Sequence, residues 1–214
     1  MVPVIIIPVL NRYDLLEECL RSIDYEVETL IIINNGKGKV DSVGHGMVKN
    51  FYVWNMPTNL GVATSWNLGI KSTPFASGWI LLNDDAKFLP KKLERFWHNA
   101  MSDQIKLAGN PPWACAWIGA KVVRDIGLFC EAYHPAYFED NDYERRAKHA
   151  NKVVEVCDDE VIEHVNSATL KGDEVLRRLN TATFHSNHEL YKMRNASFDE
   201  GHWDLQRRII QSWD

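Results

Sequence analysis

Two groups of carboxylates in this chain are placed where acids can hold a cation or move a proton. Asp84 and Asp85 follow the run Trp79-Ile80-Leu81-Leu82 and Asn83. Adjacent carboxylates at the end of an apolar strand offer oxygen ligands to a hard divalent ion such as Mg2+ or Mn2+, with other ligands completing the shell. The plainer alternative is a solvated turn in which one of the two caps the next helix. The second group is Phe138-Glu139-Asp140-Asn141-Asp142-Tyr143. It reads as a helix start, where the dipole favours the ionised acid that a general base requires. Here the alternative is ordinary helix capping. The aromatic flanks Tyr133, Tyr137, Phe138 and Tyr143 add a surface that can exclude water and stack on a flat ligand. His164 stands by itself, readable as a ligand or as a core or surface histidine. His185 and His188 share a helical spacing without a carboxylate at metal distance and read as surface residues. The four cysteines, Cys19, Cys115, Cys130 and Cys157, are too far apart for a zinc knuckle or a redox pair.

The elements that must position these groups follow from the apolar pattern. The β-branched run at residues 2–7 and the apolar run at 29–33 read as buried strands, and residues 51–54 and 79–82 as a third and a fourth short strand. Pro8 closes the first, Asp14 can cap the helix behind it, and residues 37–50 read as a loop. A helix opens at Asn59-Leu60-Gly61 and runs to about residue 71, and Leu89, Leu93, Phe96 and Trp97 share another helical face. Strand–helix alternation of this kind gives an α/β domain with a mainly parallel central sheet flanked by helices. Ligands of such sheets sit beyond the carboxyl ends of the strands. Polar clusters occupy three of those ends, at residues 8–12, 34–36 and 83–85.

The second half begins at the break Asn110-Pro111-Pro112-Trp113. Residues 114–119 read as a strand, followed by a short helix to about Ile126. Residues 139–150 read as a helix, 153–156 and 161–165 as short strands. Beyond Gly172 the chain is charged and amphipathic.

Composition sets the outer limits. The chain has 214 residues, 45% of them hydrophobic and 25% charged, which is one globular domain or one domain with an appendage. A net charge of −5 argues against nonspecific nucleic-acid binding. No apolar run approaches the roughly 20 residues of a membrane span, and Pro8, Asn11, Arg12 and Asp14 interrupt the first apolar stretch too early for a signal peptide. The expectation is a cytoplasmic protein with reduced thiols. The aromatic content, with 8 Trp, 7 Tyr and 8 Phe, can fill a core or line a sugar pocket.

In order and spacing, the stretches IIIPVLNR, IIINNGK, NLGVATSWNLGI, WILLNDDAKF, IGLFCEAYHPAYFEDNDYERRAKHAN and IEHVNSATL resemble the family 2 glycosyltransferases of GT-A fold, particularly small bacterial and phage-type members. The resemblance spans about residues 2–170. It implies a GT-A domain over residues 1–170, with a nucleotide-binding half to about 100 and an acceptor half beyond, plus a helical extension over 171–214. It further implies an inverting, metal-dependent transfer of sugar from a UDP- or dTDP-sugar to a glycan or other hydroxyl acceptor, with Mn2+ or Mg2+ as cofactor.

Carried onto this chain, the resemblance gives donor-binding roles to Pro8, Asn11, Arg12, Asn34, Asn35, Asn59, Gly61, Asn67, Asn83 and Asp84. The family's D-x-D motif reads Asn83-Asp84-Asp85, with its first acid replaced. Asp85, joined by His164, would hold the metal. The acidic pair Glu139-Asp140 would contain the base, at Asp140. The acceptor side would include Trp113, Trp117 and Tyr137, although Trp117 also reads as core. After the second strand the family commonly has an acid where this chain has Asn34 and Asn35, whose amides both donate and accept.

Four other readings share some of these features. A nucleotidyltransferase would need a Gly-rich, basic first loop, which IIIPVLNRYD lacks. A glycoside hydrolase would need the paired acids but not the nucleotide half. A non-catalytic sugar-nucleotide or polysaccharide binder fits Asn83 better than it fits the intact acid pair. A transferase acting on modified DNA bases would draw on Arg177-Arg178 and Arg207-Arg208. The C-terminal extension could pack on the domain, cover the site, or join two copies into a homodimer.

Overall fold

The structure, a computed structural model, describes residues 1–40, 46–157, 160–165 and 174–196. The expected boundary at 170/171 and the pair Arg207-Arg208 lie outside the described residues. Nine strands and six helices follow one another there: β1 (Val2–Val9), α1 (Tyr13–Arg21), β2 (Val27–Asn34), β3 (Val48–Asn55), α2 (Val62–Ser72), β4 (Gly78–Leu82), β5 (Ala86–Phe88), α3 (Lys92–His98), β6 (Gln104–Ala108), β7 (Cys115–Gly119), α4 (Ala120–Ile126), α5 (Glu139–His149), β8 (Val153–Val156), β9 (Ile162–His164) and α6 (Glu174–Ala196).

Seven strands form the central sheet, in the order β3-β2-β1-β4-β7-β6-β8. β3, β2, β1 and β4 run parallel, β7 is antiparallel to both β4 and β6, and β8 is parallel to β6. The central strands are buried on both faces, which explains their unbroken apolar runs. Side-chain alternation divides β1 between two cores. Ile5 and Ile7 join Leu16, Leu20, Leu93 and Phe96 on the face of α1 and α3. Val4 and Ile6 join Trp66, Ile70, Phe129 and Tyr143 on the face of α2 and α5. Burying such a side chain contributes about 1.5–3 kcal/mol, so the sheet is the rigid platform of the molecule.

The topology leaves a crevice at one place. The chain steps outward from β1 to β2 and β3, then returns to the other side of β1 as β4. Loops leaving the carboxyl ends of β1 and β4 therefore diverge, and a ligand can sit between them.

Several boundaries differ from the sequence reading. β1 continues through Pro8 to Val9. The carbonyl of Val9 accepts from the N–H of Asn35, just beyond β2, so the polar side of Pro8 faces β4, whose pairing with β1 has already ended at Ile6. The missing N–H therefore removes no ladder bond. Asp14 is not the cap of α1. It lies in the first turn, with Arg12 at the N-cap position donating to its carboxylate at 2.9 Å. The expected loop over 37–50 is shortened by β3, which begins at Val48. Leu89 precedes α3. β5 and β6 were not legible: β5 is too short for a period, and Lys106 breaks the apolar run of β6.

Trp117 belongs to the core, not to an acceptor site. It is 1% exposed, packs edge-on against Trp97 at 5.1 Å between ring centres, and donates its indole N–H to the Met101 carbonyl at 2.8 Å.

Candidate active site

A cavity of about 300 Å³ opens at the carboxyl ends of β1 and β4. From the sheet side it receives Pro8, Asn35, Asn83, Asp84 and Asp85, and from the start of α2 it receives Asn59 and Gly61. The opposite wall brings Trp113, Tyr137, Glu139, Asp140 and His164. Twelve of the residues singled out in the sequence thus share one space.

The small β5–β9 sheet explains how His164 reaches the acids. Only Asn83, Asp84 and Asp85 separate β4 from β5. Antiparallel pairing sets His164 opposite Ala86, and the N–H of Val165 donates to the Asp85 carbonyl at 3.0 Å. The His164 Nε2 then lies 2.9 Å from Asp85 Oδ1, with both side chains buried. The other ring nitrogen is 3.3 Å from the Asn110 carbonyl, which orients the imidazole. Burial opposes charging of His164, but the hydrogen bond and charge of Asp85 outweigh it and its pKa is raised. Asp84 is pushed up to about 7, by burial first and then by the adjacent charge of Asp85.

The donor chemistry suits a divalent cation. Among the described residues lining the cavity there are four carboxylates and one imidazole, and neither Lys nor Arg. Asp85 and His164 already converge, while no group of three His, Cys, Asp or Glu forms a complete cage among the described residues. An ion held there would draw its remaining ligands from water or from a bound anion.

The second acid pair is held differently. Tyr137 and Phe138 both have left-handed backbones, with φ of 77° and 75°, and they aim Glu139 and Asp140 into the cavity. Such angles are costly for bulky residues and persist only where surrounding contacts impose them. Glu139 is buried and its Oε2 has no hydrogen-bond partner. Burial, then the neighbouring Asp140, drives its pKa well up. Burial also raises Asp140, against a backbone N–H from Asn141 at 2.7 Å. The helix start was expected to favour the ionised acid, but desolvation prevails over it.

The two walls are braced to each other. Gly61 has φ 78°, and a side chain there would come within 2.7 Å of the Pro135 carbonyl, so only glycine fits. The next N–H, of Val62, donates to that same carbonyl at 2.8 Å. Asn59 accepts from the Gly61 N–H at 2.9 Å, and its carbonyl is 3.1 Å from the His134 ring. Asn35 donates to Ser65 Oγ at 2.9 Å and accepts from the Leu60 N–H at 3.0 Å, tying the end of β2 to α2.

Four further residues expected at the site do not line the cavity. Asn34 is saturated: it donates to Gly38 and Asn55 and accepts from Tyr13 and Gly36, so it organises loops. Asn67 bonds both ways to the backbone of Phe129 and reaches Glu131, joining α2 to the segment after α4. Asn11 lies outside the lining, and Arg12 acts at a distance, through the electrostatic pull it exerts on Asp84. Trp113 both lines the cavity and belongs to the core, packing edge-on against Phe129 and Tyr143 and donating to Glu144 at 3.0 Å. Sequence reasoning missed Trp66 and, from α6, Leu179 and Asn180. Nothing in the local pattern around Leu179 signals a cavity, because the link is purely tertiary.

No protein-family model and no curated protein sequence matches the chain. Solved structures do. Staphylococcus aureus TarS, as its 1-349 piece, superposes with a TM-score of 0.59 at 15% identity, covering 99% of this chain and 71% of that one. A longer TarS chain gives 0.61 at 16% identity, covering 95% of this chain and 42% of its own length. A mutant of Drosophila beta-1,4-galactosyltransferase 7, in complex with manganese, UDP-Gal and xylobiose, gives 0.55 at 10% identity and covers 81% and 75%. This chain has the GT-A fold. Within the GT-A fold the cavity takes the switch-point position between β1 and β4, and α6 adds a wall to it. The chain spans less than half the length of the longer TarS chain. No described helix is long and apolar enough to cross a membrane.

Proposed function

We propose that the protein is a metal-dependent, inverting glycosyltransferase that moves a sugar from a nucleoside-diphosphate sugar to an acceptor hydroxyl. One observation carries this reading: the acids at the end of β4 and the acids at the start of α5 meet in one cavity at the switch point of the sheet. The donor would lie along the sheet side, near Pro8, Asn35, Asn59, Gly61, Asn83 and Asp84. The acceptor would lie against Trp113 and Tyr137. Similarity to structures described with UDP, UDP-GlcNAc or UDP-Gal supports the donor class.

In this reading Asp140 takes the proton of the acceptor hydroxyl as that oxygen bonds to the anomeric carbon. The bond from that carbon to the diphosphate breaks on the opposite face, which inverts the centre. The raised pKa of Asp140 makes it a stronger base than an exposed aspartate. Asp85 and His164 would hold Mn2+ or Mg2+. The chemistry such an ion supplies when bound is neutralisation of the departing diphosphate, for which the described lining offers no Lys or Arg. Glu139 confines the acceptor side, and the braces at Gly61 and Asn35 keep donor and base in line.

The test is incubation with UDP-GlcNAc, UDP-Gal and dTDP-sugars, with Mn2+, Mg2+ or EDTA, while release of nucleoside diphosphate is followed. Metal-dependent release that rises with an added glycan acceptor is expected. No release from any donor under any of these conditions, alongside no metal-dependent thermal shift with UDP, would reject the reading.

A further inference from the structure

Helix α6 meets the domain through one buried polar side chain, Asn187. Its amide nitrogen lies 2.9 Å from the Ala136 carbonyl, 3.3 Å from that of Tyr137 and 3.5 Å from that of His134. These three carbonyls belong to the segment that turns through two left-handed residues into Glu139 and Asp140. The same helix grips the following side chain. Phe138 stacks on His188 at 5.2 Å and Tyr191 at 5.6 Å and tilts against Phe184 at 5.0 Å, while Tyr137 meets Phe184 edge-on. One turn further, Arg194 approaches Asp142 at 3.4 Å. Every turn of α6 from 184 to 194 thus bears on the entry to α5.

We infer that Asn187 is a positioning residue for the acid pair, holding the strained turn at Tyr137-Phe138 so that Asp140 faces the acceptor. The inference rests on the proposed transferase reading and deepens it. It needs the amide specifically. The Ala136 and Tyr137 carbonyls are acceptors, and a left-handed turn at two non-glycine residues relaxes unless something outside it binds them. The donor residues at the ends of β1, β2 and β4 are placed by the central sheet and not by this contact.

The experiment compares wild type with Asn187→Leu, which keeps the branched shape and removes the donor, and with Phe184→Ala, which loosens the aromatic grip from a half-exposed position that folding tolerates. With a UDP-sugar donor, kcat should fall by about tenfold to 100-fold, because small misplacements of a reacting group are costly. UDP affinity in Mn2+ should stay within about twofold, as expected when only the transition state loses an interaction. Hydrogen exchange should accelerate in peptides covering residues 134–142, where the Asp142 N–H bonds the Phe138 carbonyl, and stay unchanged in β1 and β4. An unchanged kcat, or a loss of UDP affinity in step with kcat, would overturn the inference. If wild type releases no nucleoside diphosphate at all, the transferase reading fails by itself. The exchange measurement then still decides the clamp, and unchanged protection over 134–142 refutes it.

Discussion

The two acid groups of the cavity are built in opposite ways. Asp84 and Asp85 sit directly on the end of a central strand, and a three-residue link to β5 fixes them between two sheets. Glu139 and Asp140 sit at the end of a left-handed turn, held by a helix some 50 residues later in the chain. The first group is positioned by local connection to the most buried part of the fold. The second is positioned by tertiary contacts alone. In the proposed reading, ion and diphosphate chemistry tolerates the first arrangement, since a bound anion adapts to fixed charges. Proton transfer would depend on the placement of one oxygen, which can be adjusted without disturbing the sheet.

The largest expected effect breaks the two groups apart functionally. Asp140→Asn should lower transfer by about 10²–10⁴-fold, the range for loss of a general base. UDP binding in Mn2+, measured by calorimetry, should persist. Retained transfer would remove Asp140 from its role and leave the comparison without its second member. In the wild type, the acid limb of the rate should lie above the ordinary aspartate range, because burial raises Asp140. A base is active only when deprotonated, so raising its pKa moves the loss of activity to higher pH as acid is added.

Next in size is a stability effect outside the cavity. Trp117→Ala should cost about 3–5 kcal/mol in urea unfolding, the usual range for a large buried aromatic. The variant that still folds should keep the acceptor KM of wild type. A selective rise in that KM, with little loss of stability, would return Trp117 to the acceptor side.

Legibility follows the same division. The strands at β1, β2 and β4 were readable because burial on both faces leaves an unbroken apolar run, and the acids that end β4 came with them. The start of α5 was readable from Glu139, Asp140 and Asp142, since acids collect at helix starts. The turn that aims it was not, because Tyr137 and Phe138 carry no local signature for a positive φ. Asn34 and Asn67 were placed at the ligand by motif, whereas each spends its amide on the backbone or loops around it. A sequence shows that an amide is present. Which partner satisfies it is decided by strands and helices far away, as with Asn187 and the carbonyls of His134, Ala136 and Tyr137.

A smaller effect sharpens the sheet side. Asp85→Ala removes the partner of His164 and one of the two converging donors, and should weaken UDP affinity in Mn2+ by about 10- to 100-fold, as typical for damage to a metal shell. Binding of UDP in EDTA should change much less. Equal loss with and without metal would mean that Asp85 supports the loop and not an ion.

The smallest effect tests whether charge outside the cavity matters. Arg12 is bound to Asp14 in an exposed pair, and such pairs contribute about 0–1 kcal/mol, so Arg12→Ala should scarcely move the unfolding midpoint. Its charge nevertheless reaches Asp84 and Asp85 without lining the cavity. Removing it leaves two buried neighbouring carboxylates with less positive potential around them. A divalent ion then gains more by binding, while the diphosphate loses a distant attraction. The variant should therefore bind Mn2+ alone slightly better and UDP slightly worse, with both differences shrinking in high salt as the field is screened. Losses in both ligands that ignore salt would make Arg12 a direct contact, and would extend the sheet-side group of the site beyond the end of β1.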